Sequence, residues 1–164
     1  FRRSRGLGDV YKRQVVVSPD VGGVARARAF AKQMDDAPLA IIDKRRTGHN
    51  MAESLTVIGD VDGRTAILID DMIDTGGTIC AGARLLRQQG ARRVIACASH
   101  PVFSPPAAER LSEEGLFEQV VVTNSIPIPA DRTFPQLQVL SVANMLGEAI
   151  WRIHEESSVS SMFR

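Results

Sequence analysis

Residues 64–78 read Arg-Thr-Ala-Ile-Leu-Ile-Asp-Asp-Met-Ile-Asp-Thr-Gly-Gly-Thr. The run RTAILI, apolar and rich in β-branched side chains, predicts a buried strand over 64–69 that ends in the carboxylates Asp70 and Asp71. A turn holding Gly76 and Gly77 follows. An amphipathic pattern then predicts a helix over 78–89, closed by Gly90 at the position where a left-handed residue ends a helix. A strand that hands over to a helix through a glycine turn is the repeating unit of a parallel sheet.

The same unit recurs in both directions. Upstream, Val15, Val16 and Val17 form the visible end of a strand, Ser18-Pro19-Asp20-Val21-Gly22-Gly23 a turn, and 24–34 a helix. Strands are predicted over 38–43 (PLAIID) and 55–61 (LTVIGDV), separated by a polar loop that holds Gly48 and Asn50. Downstream come a strand over 93–98, a helix over 106–113 ended by Gly115, strands over 117–123 and 137–142, and a terminal helix over 143–155. Its Met145, Leu146, Ile150 and Ile153 follow helical spacing. Strands alternating with helices predict an α/β fold, a mostly parallel sheet flanked by helices on both faces, with ligands at the carboxyl ends of its strands.

The chemistry of 70–78 follows from its residue types. Backbone N–H groups of Thr75, Gly76, Gly77 and Thr78 can converge on a phosphate, because glycine lets the backbone approach closely and a helix N-terminus is electropositive. The Thr75 and Thr78 hydroxyls add donors. Carboxylates beside such a nest repel an anion unless they bind something else, either paired sugar hydroxyls or a divalent metal. A phosphorylated sugar satisfies both halves. The competing reading is that Asp74 only caps the helix and the glycines only make a turn. The segment fits neither the P-loop pattern GxxxxGK[ST] nor GxGxxG.

This segment resembles the phosphoribosyl-diphosphate motif of the type I phosphoribosyltransferase fold, in the form DDMIDTGGT found in ribose-phosphate diphosphokinases. Three further stretches narrow the resemblance. Asp20, Val21, Gly22 and Gly23 correspond to the pyrophosphate loop of those enzymes, which implies Asp20 as a Mg²⁺ ligand; alone, the pattern is equally a plain turn. Lys44-Arg45-Arg46, directly after a strand, is alone a solvated charge run. By resemblance it is the start of the catalytic loop, with Lys44 the catalytic lysine and Arg46 contacting the transferring group and the ribose phosphate. Ser99-His100-Pro101-Val102-Phe103-Ser104 resembles the family's THPIFS stretch, and a structural or phosphate-contacting role suits His100 better than a metal site, since no second His is near.

The resemblance runs from Val15 to Arg164 and covers the C-terminal half of a diphosphokinase. It implies Mg²⁺ as cofactor and ribose 5-phosphate and ATP as substrates, with the products 5-phosphoribosyl 1-diphosphate and AMP. Asp70 and Asp74 would engage the ribose or the metal, and Thr75, Gly76, Gly77 and Thr78 the 5-phosphate. The family forms hexamers when full length. A missing half would carry a metal-binding histidine and most adenine contacts, so this chain is expected to be N-terminally truncated and inactive alone, with its carboxyl end that of the family. The alternatives are a phosphoribosyl-diphosphate-binding regulatory partner and a type I phosphoribosyltransferase.

Composition fits this reading. The 164 residues are 44% hydrophobic and 24% charged, suited to one folded domain, and only 5% aromatic, too few for a base-stacking nucleic-acid surface. No apolar run approaches the roughly 18 residues needed to cross a bilayer, and two cysteines without CxxC spacing suggest a reducing cytoplasm. The net charge of +1 conceals a basic tip, since residues 1–14 hold five of the 20 basic residues and one of the 19 acidic ones. That tip could be a nucleic-acid arm or a targeting segment. Its string SRGLGDVYKRQ instead resembles translated sequencing-adapter read-through, which assigns 1–14 to a non-native segment and 15–164 to the domain.

Overall fold

A computed structural model describes residues 13–45 and 54–163. Seven strands form one sheet: β1 (Gln14–Ser18), β2 (Leu39–Arg45), β3 (Ser54–Ile58), β4 (Thr65–Ile73), β5 (Arg93–Pro101), β6 (Gln119–Thr123) and β7 (Leu137–Leu140). Their order is β3-β2-β1-β4-β5-β6-β7, and every pairing is parallel except that of β2 with β3. The mostly parallel α/β sheet expected from the sequence is therefore present, with one antiparallel edge strand. Among the described residues four α-helices accompany it: α1 (Val24–Gln33), α2 (Gly77–Gln88), α3 (Ala107–Leu111) and α4 (Ala143–His154).

Continuous β-branched runs become central strands because both faces of such a strand are buried. Val15, Val17, Leu68, Val94, Ala96, Val120 and Val122 form the larger core with Ile79, Ala83 and Leu86 of α2 and Ala107 and Leu111 of α3. The opposite parity, Val16, Ile67 and Ile69, packs against Ala27 and Ala31 of α1 in a smaller core. Helices thus flank both faces, but α1 covers only part of its side. Beside it the sheet forms an apolar groove of about 530 Å³, lined by Phe30, Ile69, Cys97, Val121 and Leu140 among others. The regular apolar spacing of α4 suggested a packed face, yet Met145, Leu146, Ile150, Trp151 and Ile153 are exposed.

Two strand boundaries differ from the sequence-based expectation. β3 stops at Ile58 instead of running to Val61, because Gly59 turns the chain at φ +119°. A side chain there would meet Ala40 Cβ at 2.8 Å. β4 continues four residues past Ile69, with Met72 opposite His100 and Ile73 opposite Pro101 on β5. Charge at Asp70 and Asp71 does not end the strand, since a cation from α1 reaches both carboxylates and buried Ile73 anchors its far end.

Candidate functional site

At the carboxyl ends of β1, β2 and β4 lies a cleft of about 310 Å³, lined by Asp20, Lys44, Asp70, Asp74 and the segment from Thr75 to Ile79. Each part is held by its own local chemistry. After β1, the buried Ser18 hydroxyl donates to Asp20 O at 2.7 Å, and Gly23 N–H donates to Asp20 Oδ1 at 2.8 Å. This fixes the aspartate at the edge of the cleft. Gly23 is required by space, because a Cβ would sit 2.8 Å from Ser18 Oγ. Val21, Gly22 and Gly23 complete the turn into α1, with Val21 exposed.

After β4, Asp74 and Thr75 lead into Gly76, the N-cap of α2, at φ +74°. No side chain caps this helix, so Asp74 is not its N-cap. Cys80 N–H donates to Gly76 O at 3.0 Å, the first intrahelical bond. The N–H groups of Gly77, Thr78 and Ile79 therefore lack intrahelical carbonyls and belong to the electropositive end of the helix. Lys44, at the end of β2, comes within 3.5 Å of Thr78 Oγ1, which brings a cation to the same helix end. Arg46 lies outside the described residues, as do Gly48, His49, Asn50 and residues 1–12.

Three supporting contacts escaped the sequence reading. Arg26 on α1 donates to Asp70 Oδ1 from Nη1 at 3.0 Å and to Asp71 Oδ2 from Nη2 at 2.9 Å. Burial pushes the Asp70 carboxyl up from its ordinary value; the Asp71 N–H bond works against this, while the neighbouring Asp71 carboxylate adds to it. Asp71 is held below its ordinary value: slight burial works against this, but the bond from Asp70 and the Arg26 charge prevail. Arg110 on α3 donates to Thr75 O at 3.0 Å and so braces the glycine turn from behind. Phe103, fully buried at φ +47°, donates its N–H to Ile73 O at 3.0 Å and supports the end of β4. A signal for Arg26 was available, because two adjacent carboxylates at a sheet end need a countercharge. None marked Arg110, and Phe103, although quoted within 99–104, was given no such role, since both depend on how α3 and the β5 loop return to the sheet.

His100 stands apart from the cleft and shares a 2.9 Å hydrogen bond with Ser125 Oγ. Among the described residues no group of three or more His, Cys, Asp or Glu side chains is placed to hold a metal ion. None of the described helices is long and apolar enough to cross a membrane. Burial pushes the Cys80 and Cys97 thiols up to about 11, so neither is a ready nucleophile.

Residues 47–164 match the phosphoribosyl synthetase-associated domain family. The chain is 92% identical over 164 residues to a ribose-phosphate pyrophosphokinase of Parasynechococcus marenigrum, all of this chain and 48% of that protein. It thus spans about half the length of the curated relatives it matches. Among solved structures, a phosphoribosylpyrophosphate synthetase from Mycobacterium smegmatis superposes with a TM-score of 0.82 at 47% identity, over 93% of this chain and 49% of that one. An orotate phosphoribosyltransferase from Aeropyrum pernix, with a TM-score of 0.53 at 21% identity over 89% of this chain and 70% of that one, shares the fold.

Proposed function

The chain belongs to the phosphoribosyl synthetase-associated domain family, and from that premise we propose that the longer protein containing it is a ribose-phosphate diphosphokinase. It would transfer the diphosphoryl group of ATP to the C1 hydroxyl of ribose 5-phosphate, giving 5-phosphoribosyl 1-diphosphate and AMP. The observation that carries this reading is one cleft in which a lysine, the open end of α2 and three aspartates face one another. Such a site accepts an anion at one end and hydroxyl groups at the other.

In this assignment the 5-phosphate lies on the N–H groups of Gly76, Gly77 and Thr78, with the Thr75 and Thr78 hydroxyls as further donors. Asp70 and Asp74 accept from the ribose hydroxyls. The C1 oxygen attacks the β-phosphorus in line. The new O–P bond forms as the bond to the α–β bridging oxygen breaks, AMP departs with that electron pair, and the hydroxyl proton passes to solvent. Lys44 places positive charge on the transferring group, where charge develops on the equatorial oxygens. Arg46, two residues further along the same segment, is assigned the same task by sequence. The Asp20 turn, with Val21, Gly22 and Gly23, would receive the diphosphate.

Mg²⁺ fits the donor set. Asp20 uses one carboxylate oxygen for Gly23 N–H and is held still by it, and Asp74 shares the cleft. This cation takes one or two carboxylates together with substrate phosphates and water, so a dedicated cage of three ligands is not needed. When bound it would neutralise phosphate charge. The domain is assigned to 15–164 and the segment 1–14 to read-through. The full-length protein is assigned to the cytoplasm as a hexamer.

The test is ³¹P NMR of full-length protein with Mg²⁺, ATP and ribose 5-phosphate. Stoichiometric 5-phosphoribosyl 1-diphosphate and AMP are expected. ADP with a ribose bisphosphate, or no turnover, overturns the proposal.

A further inference from the structure

We propose that Arg26 is a positioning residue for the sugar-phosphate subsite, fixing Asp70 in the wall of the cleft and offsetting the charge of the Asp70–Asp71 pair. The inference rests on the functional reading above and extends it to a residue outside the motifs.

The placement of the guanidinium carries the argument. Arg26 rises from the first turn of α1, three residues after the Gly23 N-cap, and crosses to β4. Its two terminal nitrogens engage different carboxylates, Asp70 at 3.0 Å and Asp71 at 2.9 Å. Asp70 Oδ1 also accepts the Asp71 N–H at 2.9 Å, so one oxygen is held from two directions. Asp70 lines both the polar cleft and the apolar groove, whereas Arg26 lines the groove alone. Arg26 therefore reaches Asp70 from the groove side and touches the wall of the cleft through that carboxylate.

Electrostatics gives the contact its purpose. Two adjacent carboxylates beside an anion site would raise the local negative charge by two, and the guanidinium cancels part of that without occupying the site. Its planar fork reaches both carboxylates at once, which a lysine ammonium cannot reproduce. The three side chains are 23–50% exposed, so the pair adds little to stability. That separates a positioning role from a structural one, because losing Arg26 should change ligand affinity far more than folding.

The experiment uses the full-length protein and its Arg26→Gln, Arg26→Lys and Arg26→Gln/Asp71→Asn variants. Ribose 5-phosphate binding is followed by calorimetry, KM and kcat by turnover, and folding by thermal melting. Loss of a charge-assisted contact predicts that R26Q weakens binding and raises KM by about tenfold, with a smaller change in kcat. R26K should fall between R26Q and wild type. The double variant should recover part of the lost affinity, because the excess negative charge is gone, and the melting temperature should barely move.

Wild-type affinity in R26Q, or a double variant no better than R26Q, overturns the inference while leaving the functional reading in place. If R26Q fails to fold, R26K decides: weaker binding in a folded R26K supports the fork, and unchanged binding refutes it. A wild-type protein that does not bind ribose 5-phosphate refutes the functional reading, and this inference with it.

Discussion

Replacing Gly76 by Ala isolates what the glycine turn contributes to the site. Gly76 holds φ +74° at the N-cap of α2. An added Cβ would lie 3.6 Å from Ala107 Cα, an ordinary contact, so no clash enters the reckoning. The left-handed conformation costs an alanine about 1–2 kcal/mol. Stiffening of the unfolded chain returns about 0.4–1 kcal/mol, leaving a net loss of about 1 kcal/mol. Gly115 offers an internal control, since it has φ +75° and no atom within 4 Å of its Cβ position. Urea unfolding of full-length Gly76→Ala and Gly115→Ala should therefore show similar losses. Calorimetric titration with ribose 5-phosphate should separate them, with affinity falling only in Gly76→Ala, where relief of strain would rotate the amides of Gly77 and Thr78. Equal affinity in both variants would refute the role given to this turn, and a stability loss above about 4 kcal/mol would refute the absence of a steric conflict.

Other consequences are open to direct measurement. Lys44→Ala in the full-length protein should lower kcat by about 10²–10³-fold, as expected for a group that stabilises developing charge, while ribose 5-phosphate still binds; normal kcat would remove Lys44 from the mechanism. Carboxyl-carbon NMR should show Asp71 deprotonating below the ordinary range and Asp70 above it, with Arg26→Gln moving both upward. The raised Asp70 value gives stability that is present at low pH and lost as pH rises through it; the lowered Asp71 value gives stability lost as pH falls through it. The reverse order of titration would contradict the geometry of the pair. With its thiol buried and pushed up to about 11, Cys80 should resist alkylation at pH 8 until urea unfolds the protein, whereas Cys97, raised to about 11 but lining the groove, should react slowly in the native state; rapid native labelling of Cys80 would be inconsistent with its position.

How far the fold was legible depended on whether local sequence or tertiary contact set each feature. β-branched runs such as Val15–Val17 and Ile67–Ile69 identified the buried strands, since burial on both faces leaves a continuous apolar signal. The Asp20 and Gly76–Gly77 turns were legible because their conformations demand particular residues. The end of β4 was not, because its extension to Ile73 is set by pairing with β5 out to Pro101 and by the Phe103 N–H on Ile73 O, both far from 64–69 in sequence. Helical periodicity in α4 specified an apolar face but not what covers it, and in this chain Ile150 and Ile153 face solvent. The incomplete covering of the α1 face was hidden for a similar reason: Cys97 and Val121 read as buried strand residues, yet both line the open groove. In the cleft, the residues that would touch ligand were visible in the motifs. The residues that hold them, Arg26 and Arg110, were not, since each acts across elements.

The most direct test of the central claim is a backbone amide NMR titration of isotopically labelled full-length protein with ribose 5-phosphate and then with inorganic pyrophosphate and Mg²⁺. The account predicts that ribose 5-phosphate shifts the amides of Gly76, Gly77 and Thr78 first, and that pyrophosphate then shifts those of Val21, Gly22 and Gly23. Shifts confined to the apolar groove around Cys97 and Val121, with the α2 N-terminus unmoved, would contradict it.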